Sequence, residues 1–491
     1  MSPNTKPVRF GRFAALAASV SLAVLAGACT TVGPNFAQPA APKASTYAAP
    51  GEATPAEARL DAAASAGPWW TALGSPALDA TIRQALADSP TLAEADATLR
   101  QSQSALAQAR GAAGPQVDAT AGVNRERANL QAFGFTSFGD VTLSNPTFSL
   151  YSVGGSVGYD LDLFGGNKRR IEGAAARVEA QARRSDAAYL TLTANVALQA
   201  LTIATLNAQI EAVNQMLAAD QANIDLVHRA NALGGSTATA RVSAQSQLEQ
   251  DRALLPPLQG QLAAARHALA LLVGHAPADW TAPDFTLAEL NLAAPIPVAL
   301  PSALVRKRPD ILAAEAELHA ATADIGVATA DLYPNVKLTA SLTQGSLNPS
   351  DFFFYDATAW NVGAGLTAPI FNGGALKARR QQAREAAVVS SARYQQTVLT
   401  AFAQVADALS ALSADDAAIA AYGRSEAQAA ESLRLARVAY DKGGGTLLEV
   451  IDAQRRVHEV QASRARAQGQ RLADAVRLFA ASGADWRSAT T

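Results

Sequence analysis

"YSVGGSVGYDLDL", residues 151–163, alternates two kinds of side chain. Its odd positions carry Tyr151, Val153, Val157, Tyr159, Leu161 and Leu163; its even positions carry Ser152, Gly154, Ser156, Gly158, Asp160 and Asp162. Successive side chains of a strand point to opposite faces, so this stretch makes a strand greasy on one side and polar on the other. Three more stretches read the same way. Trp360, Val362, Ala364, Leu366 and Ile370 oppose Asn361, Gly363, Gly365 and Thr367; Val336, Leu338, Ala340 and Leu342 oppose Lys337, Thr339, Ser341 and Thr343. Val117, Ala119, Ala121 and Val123 oppose Asp118, Thr120, Gly122 and Asn124, the faintest of the set. About ten residues is the length that crosses a bilayer when a strand is tilted. A soluble sandwich also alternates, but here the rest of a long chain reads as helix. Four strands cannot close a cylinder, and an open edge in lipid leaves backbone groups unpaired at several kcal/mol each, roughly. The strands therefore predict a protein that assembles. The connecting stretches "NLQAFGFTSFGD" and "LNPSDFFFYDA" fit outward loops with aromatic side chains at a membrane interface.

The chain is also written twice. "AQARGAAGPQVDATAG" (107–122) returns as "GVATADLYPNVKLTAS" (326–341), "LDLFGGNKRRIEGAAARVEA" (161–180) as "TAPIFNGGALKARRQQAREAA" (367–387), and "LVHRANALGGSTATARVSAQ" (226–245) as "LARVAYDKGGGTLLEVIDAQ" (435–454). This spacing is too long for a solenoid repeat and predicts two fused, similar halves. In each, two strands lead through a Gly-rich break into a very long helix, and a Gly-rich turn sends a second helix back. The long helices are expected over about Asn167 to Leu233 and Ala375 to Lys442, the returning ones over about Thr237 to Val273 and Thr446 to Ser482. At 1.5 Å per residue the long ones span roughly 100 Å. Alanine on so many faces lets helices pack closely on two sides, as staves do, whereas a dimeric coiled coil would show steady Leu-rich a and d positions.

At the N-terminus Lys6, Arg9 and Arg12 precede an apolar run to Ala28, the layout of an export signal. The only cysteine, Cys29, follows the small residues Ala26, Gly27 and Ala28, which resemble a bacterial lipoprotein cleavage box although Ala26 stands where a large aliphatic is usual. Cys29 would then be the lipidated first residue, and Thr30 after it fits delivery to the outer membrane; the alternative is an ordinary signal with an incidental cysteine. The expected organisation is a signal peptide (1–28), a lipid-anchored extended segment (29–67), a first structural repeat (68–275, strands about 115–127 and 148–163), a linker (276–300), a second repeat (301–485, strands about 334–345 and 358–371) and a tail (486–491).

Composition argues against catalysis. A net charge of −2 offers nothing to nucleic acid, and five scattered histidines without cysteine partners give little support to a metal site. No dinucleotide, phosphate-binding or nucleophile-elbow motif is present, so no cofactor is expected.

Across nearly the whole mature chain, "CTTVGPNFAQP", "WWTALGSPALDATIRQAL", "YDLDLFGG", "LPSALVRKRPDILAAEAELHAATADIGVATADLYPNVKLTAS", "APIFNGGALKARRQQA" and "VLTAFAQVADALSAL" resemble the TolC-like outer-membrane factor family, in its lipidated, OprM-like branch. The resemblance implies an α+β membrane protein: a homotrimer with a twelve-stranded outer-membrane barrel, four strands per protomer, continuing into a long periplasmic α-helical barrel. It implies the exit duct of a tripartite efflux pump, working with a periplasmic membrane-fusion adaptor and an inner-membrane transporter of the resistance-nodulation-division type. The alternatives are the exit duct of a type I protein secretion system, which usually lacks the lipid anchor, and a helical periplasmic scaffold without a pore.

The resemblance also points to the turn "YDKGGGTLLEVIDAQR", residues 440–455, as the periplasmic gate. By position Asp452 and Glu449 match acidic ring residues, Leu448 an apolar constriction and Tyr440 a residue tying neighbouring helices. Glu449 and Asp452 are three apart and share a helix face; they form either a carboxylate ring in the assembly or a solvated acidic patch suited to the helix dipole. A latching Arg and its acidic partner, often present in the family, are replaced here by Gly445 and Ala240. Gly234, Gly235, Gly443, Gly444 and Gly445 make the helix tips small, suiting adaptor docking or simply supplying the backbone angles of tight turns.

Overall fold

The computed structural model describes residues 31–40, 42, 44, 46–47, 59–60, 68–129, 132, 137–138, 141–142, 145–232, 237–292, 297–298, 301–351 and 354–483. The expected signal peptide and Cys29 lie outside them. The chain divides into two compact units, one formed by Met1–Gln38, Arg100–Ala180 and Glu315–Ala392, the other by Pro39–Leu99, Gln181–Ala314 and Arg393–Thr491.

The first unit is built on a four-stranded antiparallel sheet of β1 (Gln116–Arg127), β2 (Thr147–Asp160), β3 (Asn335–Ser346) and β4 (Thr358–Thr367), in the order β1-β2-β3-β4. Its register aligns the four greasy faces. Val117 pairs with Val157 and Val123 with Tyr151; Val157 pairs with Ala340 and Tyr159 with Leu338; Ala340 pairs with Val362, Leu342 with Trp360 and Val336 with Leu366. Directly paired residues share a face, so all these side chains stand on one side, and Val117, Val123, Val157, Leu338, Leu342, Trp360, Val362 and Leu366 are exposed there. A slip of one residue in any strand would move its whole apolar set to the polar side. The outermost strands β1 and β4 each have one edge that no described strand covers.

Two strands end earlier than the sequence predicts. β2 stops at Asp160 rather than 163, because Asp162 turns the chain with φ 47° and its carboxylate accepts N–H bonds from Asn167 and Lys168, both at 2.9 Å. β4 stops at Thr367 rather than 371: its partner strand begins at Asn335, just after Pro334, and Pro369 has no N–H for a ladder. Between β1 and β2 a two-residue pairing, Ser137–Phe138 with Val141–Thr142, lies in a loop that carried no strand signal.

Residues 31–38 run as a strap over the helices of this unit. The N–H of Val32 donates to the Phe164 carbonyl at 3.1 Å, and the buried Arg169 donates to the Val32 carbonyl at 3.2 Å and to Asn35 Oδ1 at 2.7 Å. Gly33 sits at φ 93°, and a Cβ there would lie 2.5 Å from the Gly326 Cα, so only glycine fits. Phe36 stacks on His319 at 4.5 Å, and Gln38 donates to Glu315 at 2.7 Å.

Helices make up the rest: α1 (Pro76–Asp88), α2 (Pro90–Ala112), α3 (Gly166–Ala232), α4 (Ala238–Arg252), α5 (Leu255–Val273), α6 (Pro301–Lys307), α7 (Pro309–Ala330), α8 (Ala375–Asp441) and α9 (Leu447–Ala481). The sequence predicts one helix where α4 and α5 stand. Pro256 and Pro257 lack N–H groups for the i−4 bonds, and the ladder breaks at Ala253–Leu254.

The second unit holds the main core. Trp69 stacks on Phe479 at 5.6 Å and meets Trp70 edge-on at 6.0 Å, with Leu73, Leu78, Ile82, Val196, Leu201, Leu269 and Phe285 buried about them. Trp70 satisfies its indole N–H on Asp79 at 3.0 Å. Arg308, from the "RKRPDI" stretch, is buried and forks onto Asp310 at 2.6 and 3.0 Å while also donating to Gln404 at 2.8 Å and to the Ala481 carbonyl at 3.0 Å. One guanidinium thereby ties the start of α7, the middle of α8 and the end of α9. Arg59–Leu60 adds a short parallel pairing with Pro297–Val298.

The register yields a paired test. Val157→Lys, on the apolar face, should cost about 2–4 kcal/mol of membrane stability, the range for a cation near a bilayer midplane, and deplete the protein from the outer-membrane fraction. Ser156→Lys, its neighbour on the opposite face, should assemble normally in the same fractionation.

Candidate functional site

The turn between α8 and α9 is built by two consecutive caps. α8 ends in a Schellman arrangement: Gly444 N–H donates to the Ala439 carbonyl and Gly443 N–H to the Tyr440 carbonyl, both at 2.9 Å, with Gly443 at φ 74°. α9 begins at once with a capping box: Thr446 Oγ1 accepts from Glu449 N–H at 3.3 Å, and Glu449 Oε2 accepts from Thr446 N–H at 3.1 Å. Gly445 is pinched between the two caps, where a Cβ would lie 3.0 Å from Ala439 Cβ and 3.1 Å from Glu449 Oε2. A longer side chain at this position would have to displace the capping carboxylate.

The structure thus separates the two acids that the sequence groups together. Glu449 is turned back onto its own helix start, while Asp452, one turn further on, is exposed. Leu448 is exposed to 61 %, and Tyr440 is partly covered. Gly234 and Gly235 lie outside the described residues, so of the two expected glycine tips only Gly443, Gly444 and Gly445 can be placed. Among the described residues no group of three His, Cys, Asp or Glu could hold a metal ion.

Sequence reasoning missed what stands behind this turn. Leu447 packs against a small cluster of Ile224 and Val227 from α3 and Ala244 and Leu248 from α4. Beside that cluster Asp220 of α3 meets Asp251 of α4 with Arg455 of α9 close by; the aspartates are only 6 % and 3 % exposed. Burial, then the charge of Asp251 and a hydrogen bond with it, push the Asp220 carboxyl up to about 6 against the pull of Arg455. Among the described residues Asp220 Oδ2 has no donor, whereas Asp251 accepts from Gln247 at 2.7 Å. A signal was available: Val213, Met216, Asp220, Ile224 and Val227 fall on one helical stripe, so an acid stands in a line of buried apolar residues. Arg466 of α9 also donates to Gln209 of α3 at 3.1 Å, and Gly469 lets Thr205 approach closely.

Comparison with known proteins identifies this architecture. The family model described as outer membrane efflux protein matches residues 81–275 and 300–484, one span in each half of the duplication. The chain belongs to the outer membrane efflux protein family. It is 31 % identical, over 96 % of both chains, to the pyoverdine export outer membrane protein OpmQ of Pseudomonas aeruginosa. It is 29 % identical to the cation efflux system protein CusC of Escherichia coli O6:H1, over 71 % of this chain and 76 % of that one. Among solved structures, the outer-membrane channel OprN superposes with a TM-score of 0.83 at 25 % identity, covering 93 % of this chain and 99 % of the other. The fold class is that of the trimeric outer-membrane efflux channels, four strands per protomer with internal duplication, and this protein is an outer-membrane efflux channel.

The caps carry their own prediction. Thr446→Ala removes one bond of the capping box and should lower stability by about 1 kcal/mol, with faster hydrogen exchange confined to the first turns of α9; Thr446→Ser should restore the protection.

Proposed function

We propose that this outer membrane efflux protein is the passive exit duct of a tripartite pump, joined through a periplasmic membrane-fusion adaptor to an inner-membrane transporter of the resistance-nodulation-division type. The observation that carries the reading is the sheet: its register collects every apolar face on one side and leaves two edges to be paired by other copies. Three copies of four strands give twelve, with lipid outside and the Ser, Thr, Asn and Gly face lining water. The similarity to proteins named for pyoverdine export and cation efflux supports small molecules or ions rather than a secreted protein as cargo. The duct makes and breaks no bond; the energy comes from the transporter.

The gate assignment rests on position and exposure. Three copies of Asp452 would face one axis, with Leu448 as the apolar constriction, Tyr440 holding neighbouring helices and the glycine tips 234–235 and 443–445 meeting the adaptor. Glu449 contributes less than its sequence position suggests, because its carboxylate already serves the helix start. Cys29 would carry the lipid, tethering a protein whose first described residues, the strap from residue 31, already grip the first unit through Arg169.

Planar-bilayer conductance tests the duct and its gate together. The purified protein should form discrete cation-preferring channels; Asp452→Ala should raise conductance or weaken block by divalent cations, Glu449→Ala should do so less, and the double variant most. Unchanged currents in the double variant would remove the gate assignment, and no channels at all would remove the duct. Separately, the mature protein should carry acyl chains detectable by mass spectrometry of its N-terminal peptide, and Cys29→Ser should abolish them.

A further inference from the structure

The acid pair behind the acidic turn has no part in lining a conduit, yet its placement is specific. Asp251 occupies the last turn of α4, and the Leu254 N–H that marks the break before α5 donates to the Asp251 carbonyl at 3.1 Å. Asp220 lies one turn from Ile224 and Asp251 three residues from Leu248, so the pair closes the open end of the cluster on which Leu447 rests. Two carboxyl groups in hydrogen-bonding contact cannot both be ionised without strong repulsion, and one proton between them turns that repulsion into a bond. Asp220 Oδ2 is buried and accepts from no neighbour among the described residues, so a negative charge placed on it has no donor to offset it.

We propose that Asp220 and Asp251 form a proton-operated clasp that fastens the α4 segment to α3 behind the α8–α9 turn, closed when the pair holds a proton and loosened when it loses it. The charged groups facing the pair bear this out. Arg455 of α9 attracts the Asp220 carboxylate but is shared with Glu459 at 3.2 Å, so it offsets only part of the repulsion. His458, on the same helix, is held below its ordinary value by burial and adds no positive charge above about pH 6.5. The Asp220 carboxyl is raised in the folded protein from 3.8 to about 6. Its contribution to α3–α4 packing is therefore complete below about pH 4 and is lost as pH rises through about 6. The hairpin is tighter in an acidic periplasm than in a neutral one.

A second acid pair shows why the α3–α4 position matters. Asp415 of α8, pushed up to about 6 by burial and by its hydrogen bond with Asp474 of α9, sits amid long unbroken helices. Asp474 there is already paired with Arg477 at 2.5 Å, and Asp416 with Arg471 at 2.5 Å. Asp251, by contrast, stands at a helix break, where a local opening costs least.

Hydrogen exchange of the purified full-length channel, read by mass spectrometry at pH 5.5 and 7.5 and corrected for intrinsic rates, tests the clasp. Peptides from Ala238–Arg252 should lose protection about fourfold between the two conditions, the share above pH 5.5 of the roughly hundredfold effect of a shift from 3.8 to about 6. Asp251→Asn and Asp220→Asn should each flatten this dependence, and Arg455→Gln should move its midpoint to higher pH. A wild-type segment whose corrected exchange does not change with pH overturns the proposal, as does an Asn variant that keeps the wild-type dependence or an Arg455→Gln variant with an unmoved midpoint. The readout is backbone exchange rather than current, so its failure would leave the duct reading intact.

Discussion

Two sheet edges that no described strand pairs govern everything else in this protein. In water an exposed edge is tolerable because solvent completes the hydrogen bonds; in hydrocarbon each open N–H or C=O costs several kcal/mol, roughly, and β1 with β4 would present a row of them. The chain cannot satisfy these edges itself. Four strands are too few to curl shut, and the stretches that follow them leave the sheet at once through Asp162 and at Pro369. Copies of the chain must supply the missing partners, and the single-sided apolar face fixes which side of the resulting cylinder meets lipid.

The helical part meets a different demand. Long helices rich in alanine bury little apolar area per residue, so their alignment depends on discrete polar ties as well as on the tryptophan-centred core. Arg308 is the clearest of these: it spends its guanidinium on a carboxylate, an amide oxygen and a helix-end carbonyl from three elements at once. A buried arginine that lost one partner would leave an uncompensated charge, which makes such a tie intolerant of misalignment. Arg169 plays a comparable part in the first unit, reading backbone carbonyls of an extended strap that has no secondary structure of its own. The α8–α9 turn is held locally, by Gly443 and the Thr446–Glu449 box, and Leu447 packs against the α3–α4 cluster.

Much of this was legible in the sequence because it follows from short-range pattern. Strand alternation is a property of successive residues, and it located all four sheet strands; their ends were misjudged where a side chain, Asp162, or a partner's proline set the limit instead. The long helices were legible from unbroken stretches of good helix formers, whereas the α4–α5 break depended on treating two adjacent prolines as decisive. Glu449 and Asp452 looked equivalent because spacing places them on one face; only the geometry of the cap shows that one carboxylate is occupied. The Asp220–Asp251 contact was not legible at all as a pair. It joins residues on two helices, and although each sits on an apolar stripe, nothing in either stripe names the other. The stretch that holds Arg308 carries the family resemblance, but nothing in it shows that this one side chain ties three helices.

The claim that copies of this chain close one another's sheet edges can be tested by disulfide trapping between subunits. Single cysteines scanned along 116–127 would be combined with single cysteines along 358–367, on a Cys29→Ser background, in membranes. The account predicts that some pair, at one register, yields covalent dimers and trimers and nothing larger, because three copies complete the ring. Failure of every pair to cross-link, or a ladder continuing beyond the trimer, would contradict it.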